Sequence, residues 1–159
     1  MNRSRIGSFL LLIATGLASC TDPAAPTPSP VAPPPPAAAP PRPSVPTGTV
    51  TRMPLETFFE LQQSGKILVY DVRPGFTRAL GSIPGSISWP KNSYPSQLPT
   101  REPEIRAAIA AGKTVVLYCT DLACPDATII ATRLATLGHN TSVLEGGWDT
   151  WKSAGLPTQ

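Results

Sequence analysis

Twelve of the chain's 21 prolines fall between Pro23 and Pro46. Half of that stretch lacks a backbone N–H, so it can form neither a helix nor a sheet ladder. The run Pro33 to Pro36, with Ala, Ser and Thr around it, favours polyproline II. At ~3.1 Å per residue the stretch would reach up to about 75 Å when fully extended. A spacer is expected here, which leaves residues 48–159 for the folded part. Of the 159 residues, that is enough for one domain. A Gly-X-Y period is absent, which excludes collagen. No second long apolar run follows, which excludes a multi-span membrane protein.

The segment before the spacer reads as an address. Arg3 and Arg5 supply a positive start, and Ile6 to Leu17 is mostly apolar. That run is too short to cross a bilayer as a mature helix and has the build of a secretory leader. It ends in Leu17-Ala18-Ser19-Cys20, which resembles the bacterial lipobox. The resemblance implies cleavage before Cys20 and acylation of its thiol and its new amino group. Two or more acyl chains anchor stably, at ~0.8 kcal/mol per buried methylene. The expected organisation is a signal peptide at 1–19, lipidated Cys20 with a proline-rich linker over 20–47, and a domain at 48–159. The expected location is the bacterial cell envelope, attached to a membrane through lipid, with inner and outer membrane both open. The formal charge is +3, and without Arg3 and Arg5 there remain 11 basic and 10 acidic residues, a net of +1. Nucleic acid is not an expected partner on that balance.

From Val50 onward strand and helix signals alternate. Pro54 to Ser64 carries Leu55, Phe58, Phe59 and Gln62 at helical spacing, with Gly65 as its stop. Ile67 to Val72 is a short apolar run of the kind a buried parallel strand shows. Ser86 to Trp89 is expected as a short strand, 91–100 as loop, and Glu102 to Ala111 as helix. Thr114 to Tyr118 is a second buried strand. Pro125 to Leu137 reads as a helix closed by Gly138. Thr141 to Leu144 is a last strand, and Trp148 to Ala154 a short helix. Such alternation predicts an α/β fold, a parallel sheet of about five strands covered by helices on both faces. Ligands of such folds bind beyond the C-terminal strand ends, which directs attention past Tyr118.

There the chain reads Cys119-Thr120-Asp121-Leu122-Ala123-Cys124-Pro125. A cysteine leaves a buried strand, a short loop turns, and a helix begins near Pro125. Unpaired N–H groups and the helix dipole favour a thiolate there, and successive loop amides can cradle an anion.

Four segments then resemble one family, in order and at family spacing. They are Asp71-Val72-Arg73, Gly81 to Ser86, Tyr118-Cys119, and Leu144 to Pro157 with its Gly146-Gly147-Trp148 core. Together they are similar to a single-domain rhodanese over nearly all of residues 50–158. The resemblance implies sulfurtransferase chemistry, with Cys119 accepting sulfane sulfur as a persulfide and passing it to a nucleophile. It implies that Thr120, Asp121, Leu122, Ala123 and Cys124 complete an active loop whose backbone N–H groups face that sulfur. Asp71 and Arg73 are expected as structural ion pairing, and Gly85, Gly146 and Gly147 as backbone geometry. Two departures stand out. Ser82 occupies a place usually held by His, and the loop carries neither the usual Gly nor Arg. Asp121 instead sets a negative charge where dianionic thiosulfate would approach, worth about 4 kcal/mol for a charge pair at ~4 Å and an effective dielectric near 20.

Cys124 is the further departure. Exported thiols meet oxidising surroundings, and with Cys20 lipidated an even pair remains. A Cys119–Cys124 bond requires Cα atoms within ~7 Å. Three readings stand open. Cys124 resolves a persulfide or sulfenic acid on Cys119. The pair is a stable disulfide in a non-catalytic binding or scaffold module. Cys124 merely fills the loop while Cys119 transfers sulfur. Expected partners are a small sulfur donor or thiol acceptor and, for the first reading, a thiol-reducing protein. A monomer is expected, with no cofactor. One His and two spaced cysteines fall short of a zinc site. His139 is expected at the surface, and Trp89, Trp148 and Trp151 in packing.

Overall fold

Runs of β-branched and aromatic residues bounded by Gly and Pro build the sheet of this computed structural model, which describes residues 47–159. The leader, Cys20 and the proline-rich linker lie outside the described residues. Five strands form: β1 (Val50–Met53), β2 (Ile67–Asp71), β3 (Ile87–Ser88), β4 (Thr114–Tyr118) and β5 (Thr141–Leu144). Their order is β1-β5-β4-β2-β3, and every pairing is parallel. The helices are α1 (Leu55–Gln63), α2 (Gly75–Arg78), α3 (Tyr94–Ala110), α4 (Asp126–Thr136) and α5 (Gly147–Ser153). The expected five-stranded parallel α/β fold is present.

Side chains along a strand alternate between faces, and β4 shows what that does. Val115, Leu117 and Cys119 join the core formed with Tyr94, Ile105 and Ala108 of α3 and Ala127, Ile130 and Leu134 of α4. Val116 and Tyr118 join the opposite core, with Phe58 of α1 and Trp148 and Trp151 of α5. The chemistry-bearing cysteine and the tyrosine before it therefore face opposite layers. All three tryptophans are buried.

The structure departs from the sequence reading in three places. β1 was not located as a strand; it is a sheet edge whose Val50, Thr51 and Arg52 are exposed, so no buried run marks it. Residues 91–100 were expected as loop, yet α3 begins at Tyr94 and continues through Pro99 and Pro103. Both prolines, like Pro95 in the first turn, lie on the exposed side. Tyr94, by contrast, is buried and stacks on Trp89 at 5.2 Å between ring centroids. His139 is buried at 7% exposure, because Gly48 lies against its backbone and its Nε2 sits 3.4 Å from Glu102 Oε1.

A buried charge network ties the strand ends together. Register places Asp71 of β2 beside Tyr118 of β4. Arg73 Nε donates to Asp71 Oδ1 at 2.9 Å and Arg73 Nη2 to Asp71 Oδ2 at 2.7 Å, a two-pronged pair with both side chains 2% exposed. Arg73 Nη2 also donates to the Gly81 carbonyl. The Tyr118 hydroxyl donates to Asp71 Oδ2 at 2.7 Å and accepts from the Ile83 N–H. The guanidinium carbon lies 4.7 Å from the Trp148 ring centroid and 5.3 Å from that of Tyr118, within cation–π range. Burial acts to lower the Arg73 pKa, but the hydrogen bond and charge of Asp71 override it and hold the guanidinium above its ordinary value. Burial chiefly pushes Tyr118 up from 10 to about 12, and the Asp71 charge adds to it.

Two consequences are measurable. Replacing Asp71 by Ala leaves a buried guanidinium without its counter-charge, so urea unfolding should show a loss of about 3–5 kcal/mol. Tyr118 is held protonated in the fold, so its contribution is complete below pH 10 and is lost as pH rises toward 12. Stability should fall across that window, and less steeply in Tyr118→Phe. Burial also raises Tyr70 and Tyr94, so the slope should shrink rather than vanish.

Candidate active site

β4 ends at Tyr118, and the next residue, Cys119, opens a loop that runs to Pro125 before α4 starts. The parallel strands make this the C-terminal rim of the sheet. Cys119 is 3% exposed, as its alternation with Leu117 into the α3–α4 core requires. Cys124 is partly exposed and packs against the margin of the same core. The loop folds back so that their Cα atoms are 6.1 Å apart, and the two sulfurs are joined in a disulfide.

The loop is held from both sides. The Trp148 N–H donates to the Cys119 carbonyl and the Asp149 N–H to the Thr120 carbonyl, both at 2.8 Å. These are first-turn donors of α5, which have no partner inside their helix. Gly147, at φ +55°, makes that approach possible, since a Cβ there would overlap the Cys119 carbonyl. At Gly146, φ +67°, a Cβ would run into the Thr150 side chain. The Gly-Gly-Trp segment thus places α5 against the cysteine. Gly85, at φ +75°, has open space around it, so its turn conformation is what calls for glycine.

Inside the loop, Asp121 Oδ1 accepts from the N–H groups of Ala123 at 2.8 Å and Cys124 at 2.9 Å. The family resemblance implied that the amides from Thr120 to Cys124 face the cysteine sulfur. Two of them serve Asp121 instead. An ionised carboxylate in the same turn is the stronger acceptor and is already within reach. Thr120 is half-buried, and Asp121, Leu122 and Ala123 are exposed, Leu122 at 72%.

A cavity of about 260 Å³ opens on the disulfide. Cys119, Asp121, Cys124, Ala127 and Thr128 line it, and Arg52 reaches it from β1. The α4 N-terminus at its edge has no side-chain cap, so its dipole is available to an anionic sulfur. An oxygen of Asp126 lies within 4.8 Å of both sulfurs and is ion-paired with Lys91. As a metal site the trio of Cys119, Cys124 and Asp126 is poor, because joined sulfurs are not thiolate ligands. A larger cavity, about 460 Å³, lies elsewhere, with Phe59, Gln62, Pro84 and Trp151 in its walls and no cysteine. The candidate site is the smaller cavity because both cysteines line it.

Asp71, at the neighbouring strand end, and Arg73 are ion-paired with each other and bonded to Tyr118 and the Gly81 carbonyl. Ser82 is buried and exchanges backbone hydrogen bonds with Gln159, so it serves packing. Sequence reasoning missed Arg52, Lys91 and Asp126. Asp126 was readable as a helix-first-turn acid beside Cys124, whereas Arg52 and Lys91 come from distant segments and carry no local signal.

Residues 55–154 match the family described as Rhodanese-like domain. An HTH-type transcriptional regulator of Mycobacterium tuberculosis is 30% identical over 115 residues, which span 70% of this chain and 45% of the regulator. The chain therefore covers under half of that curated relative. A crystal structure of a rhodanese-related protein from Thermoplasma volcanium shares 23% identity, with a TM-score of 0.57 over 69% of this chain and 97% of that one. A Saccharomyces cerevisiae protein described as a homolog of single-domain rhodanese and Cdc25 phosphatase catalytic domain shares 21% identity and a TM-score of 0.57, covering 65% of this chain and 80% of that one. With a parallel sheet, a cysteine loop at its rim and a match over most of the folded residues, this chain belongs to the rhodanese-like domain family.

Proposed function

We propose that this domain is a sulfurtransferase-type thiol device, in which Cys119 takes up sulfane sulfur and Cys124 resolves it. The observation that carries the reading is the disulfide spanning the loop at the strand end, with 6.1 Å between Cα atoms. Reduced, Cys119 attacks the outer sulfur of a donor R–S–S⁻, forming a persulfide and releasing R–S⁻. The persulfide's outer sulfur takes up the proton that a cysteine thiol gave up, and the Cys124 thiolate then attacks Cys119 Sγ and displaces HS⁻, which leaves the disulfide. A dithiol reductant returns two electrons and two protons to reopen it. The α4 dipole supports the anionic sulfur, while Asp121 opposes a dianionic donor. Polysulfide is therefore the favoured donor class over thiosulfate. Phosphoryl transfer is less well supported, since the loop has no Arg and two of its amides hold a carboxylate.

A second reading, a non-catalytic binding or scaffold module with a permanent disulfide, draws on the 3% exposure of Cys119. One experiment separates them. Reduced protein is incubated with polysulfide or with thiosulfate and its intact mass is measured. The enzyme reading expects polysulfide to return reduced wild-type protein to the disulfide with release of sulfide, and to leave one extra sulfur atom on Cys119 in Cys124→Ser, less of it with thiosulfate and none in Cys119→Ser. No adduct on Cys124→Ser from either donor, together with a wild-type disulfide that resists mild reductant, supports the module.

The leader and the Leu17-Ala18-Ser19-Cys20 sequence support placing the domain at the cell envelope on a lipid anchor. Palmitate labelling in a bacterial host should mark the wild-type chain, and Cys20→Ser should abolish the label and shift the protein to the soluble fraction. An unlabelled wild-type chain overturns the anchor.

A further inference from the structure

Thiol–disulfide exchange is an in-line displacement. The attacking, attacked and leaving sulfurs align, so what lies beyond each sulfur decides which one a thiol can reach. The two ends of this disulfide differ. Cys119 sits in the core it shares with Leu117, Ala127, Ile130 and Val143, and the residue is 3% exposed. Cys124 stands on the rim, partly exposed, between exposed Ala123 and Pro125. Both line the cavity that opens on the disulfide, but Cys119 offers an approaching thiolate almost no surface, whereas Cys124 offers a partly exposed one.

We propose that Cys124 is the sulfur a reducing thiol attacks, so the mixed disulfide with the reductant forms there and not on Cys119. This deepens the reading above and rests on it for the need to reopen the disulfide. The reductant's thiolate bonds to Cys124 Sγ, the Cys119–Cys124 bond breaks, and its electron pair leaves with Cys119. The reductant's second thiol then attacks its own sulfur in the mixed disulfide. Cys124 departs as a thiolate and takes the proton that thiol gave up, and the reductant is left as a disulfide. The order of events has a chemical consequence. The first product of reduction is the Cys119 thiolate, the species needed to capture the next sulfur, while Cys124 is still capped and cannot resolve a persulfide; attack of that thiolate back on Cys124 Sγ, which expels the reductant, is the competing step.

The test uses the oxidised full chain and glutathione as the reducing probe. Aliquots taken over time are quenched in acid, free thiols are blocked with N-ethylmaleimide, and fragment-ion mapping locates each group. The expected result at the earliest times is glutathione on Cys124 and maleimide on Cys119, at least about tenfold over the reverse, since access governs which sulfur is attacked. Glutathione on Cys119 first, or equally on both, overturns the proposal, and so does a disulfide that takes up none. As a control against shuffling, the earliest ratio should hold when the glutathione concentration is varied. The sulfur-capture assay is a separate readout. Failure to form a persulfide with glutathione on Cys124 leaves this assignment standing, whereas a persulfide on Cys119 with glutathione there as well removes the assignment alone.

Discussion

The buried pair of Asp71 and Arg73 is the constraint on which the rim of this domain depends. A guanidinium 2% exposed is tolerable because a carboxylate, a carbonyl and two aromatic faces surround it. Those partners come from separate places: Asp71 from β2, the Gly81 carbonyl from the loop that follows, Tyr118 from β4 and Trp148 from α5. Satisfying one charge thus pins two adjacent strand ends, a loop and a helix. The Cys119 loop starts one residue beyond Tyr118, and α5 supplies the amides that grip its first two carbonyls. The knot touches no substrate, yet it sets where the sulfur stands.

Around the sulfur itself, the loop has been put to a different use from the one its length suggests. A loop of bare amides would stabilise an anion on the cysteine. Asp121 takes two of those amides for itself, and the disulfide replaces the anion by a neutral bond. The uncapped start of α4 and Arg52 border the same cavity, and an oxygen of Asp126 lies within 4.8 Å of both sulfurs.

Much of this was legible before any coordinates. The runs at 67–72 and 114–118, the helix at 125–137 and the glycine stops follow from local patterning, because burial on both faces leaves continuous apolar strands. The Gly146-Gly147-Trp148 sequence pointed to backbone geometry, and the geometry shows why, through the clash a Cβ would make with the Cys119 carbonyl. Less was legible where context outweighs propensity. Residues 91–100 read as loop, yet α3 begins at Tyr94, because the solvent-facing placement of Pro95 and Pro99 makes the lost hydrogen bonds cheap and the Trp89–Tyr94 stack holds the turn. β1 is recognisable as a strand only by its parallel partner β5.

Sequence alone specified the strand–cysteine–loop–helix unit, the family and the possibility of a Cys119–Cys124 bond, since each rests on residues near one another along the chain. It left open whether the two sulfurs meet, which one faces the core, where the loop amides point and that Arg52 shares the cavity. Those depend on strand register and on packing between distant segments, which no short stretch of sequence contains. The same cysteine could be a bare nucleophile or a buried half of a disulfide, and the difference lies in which way one strand's alternation turns it.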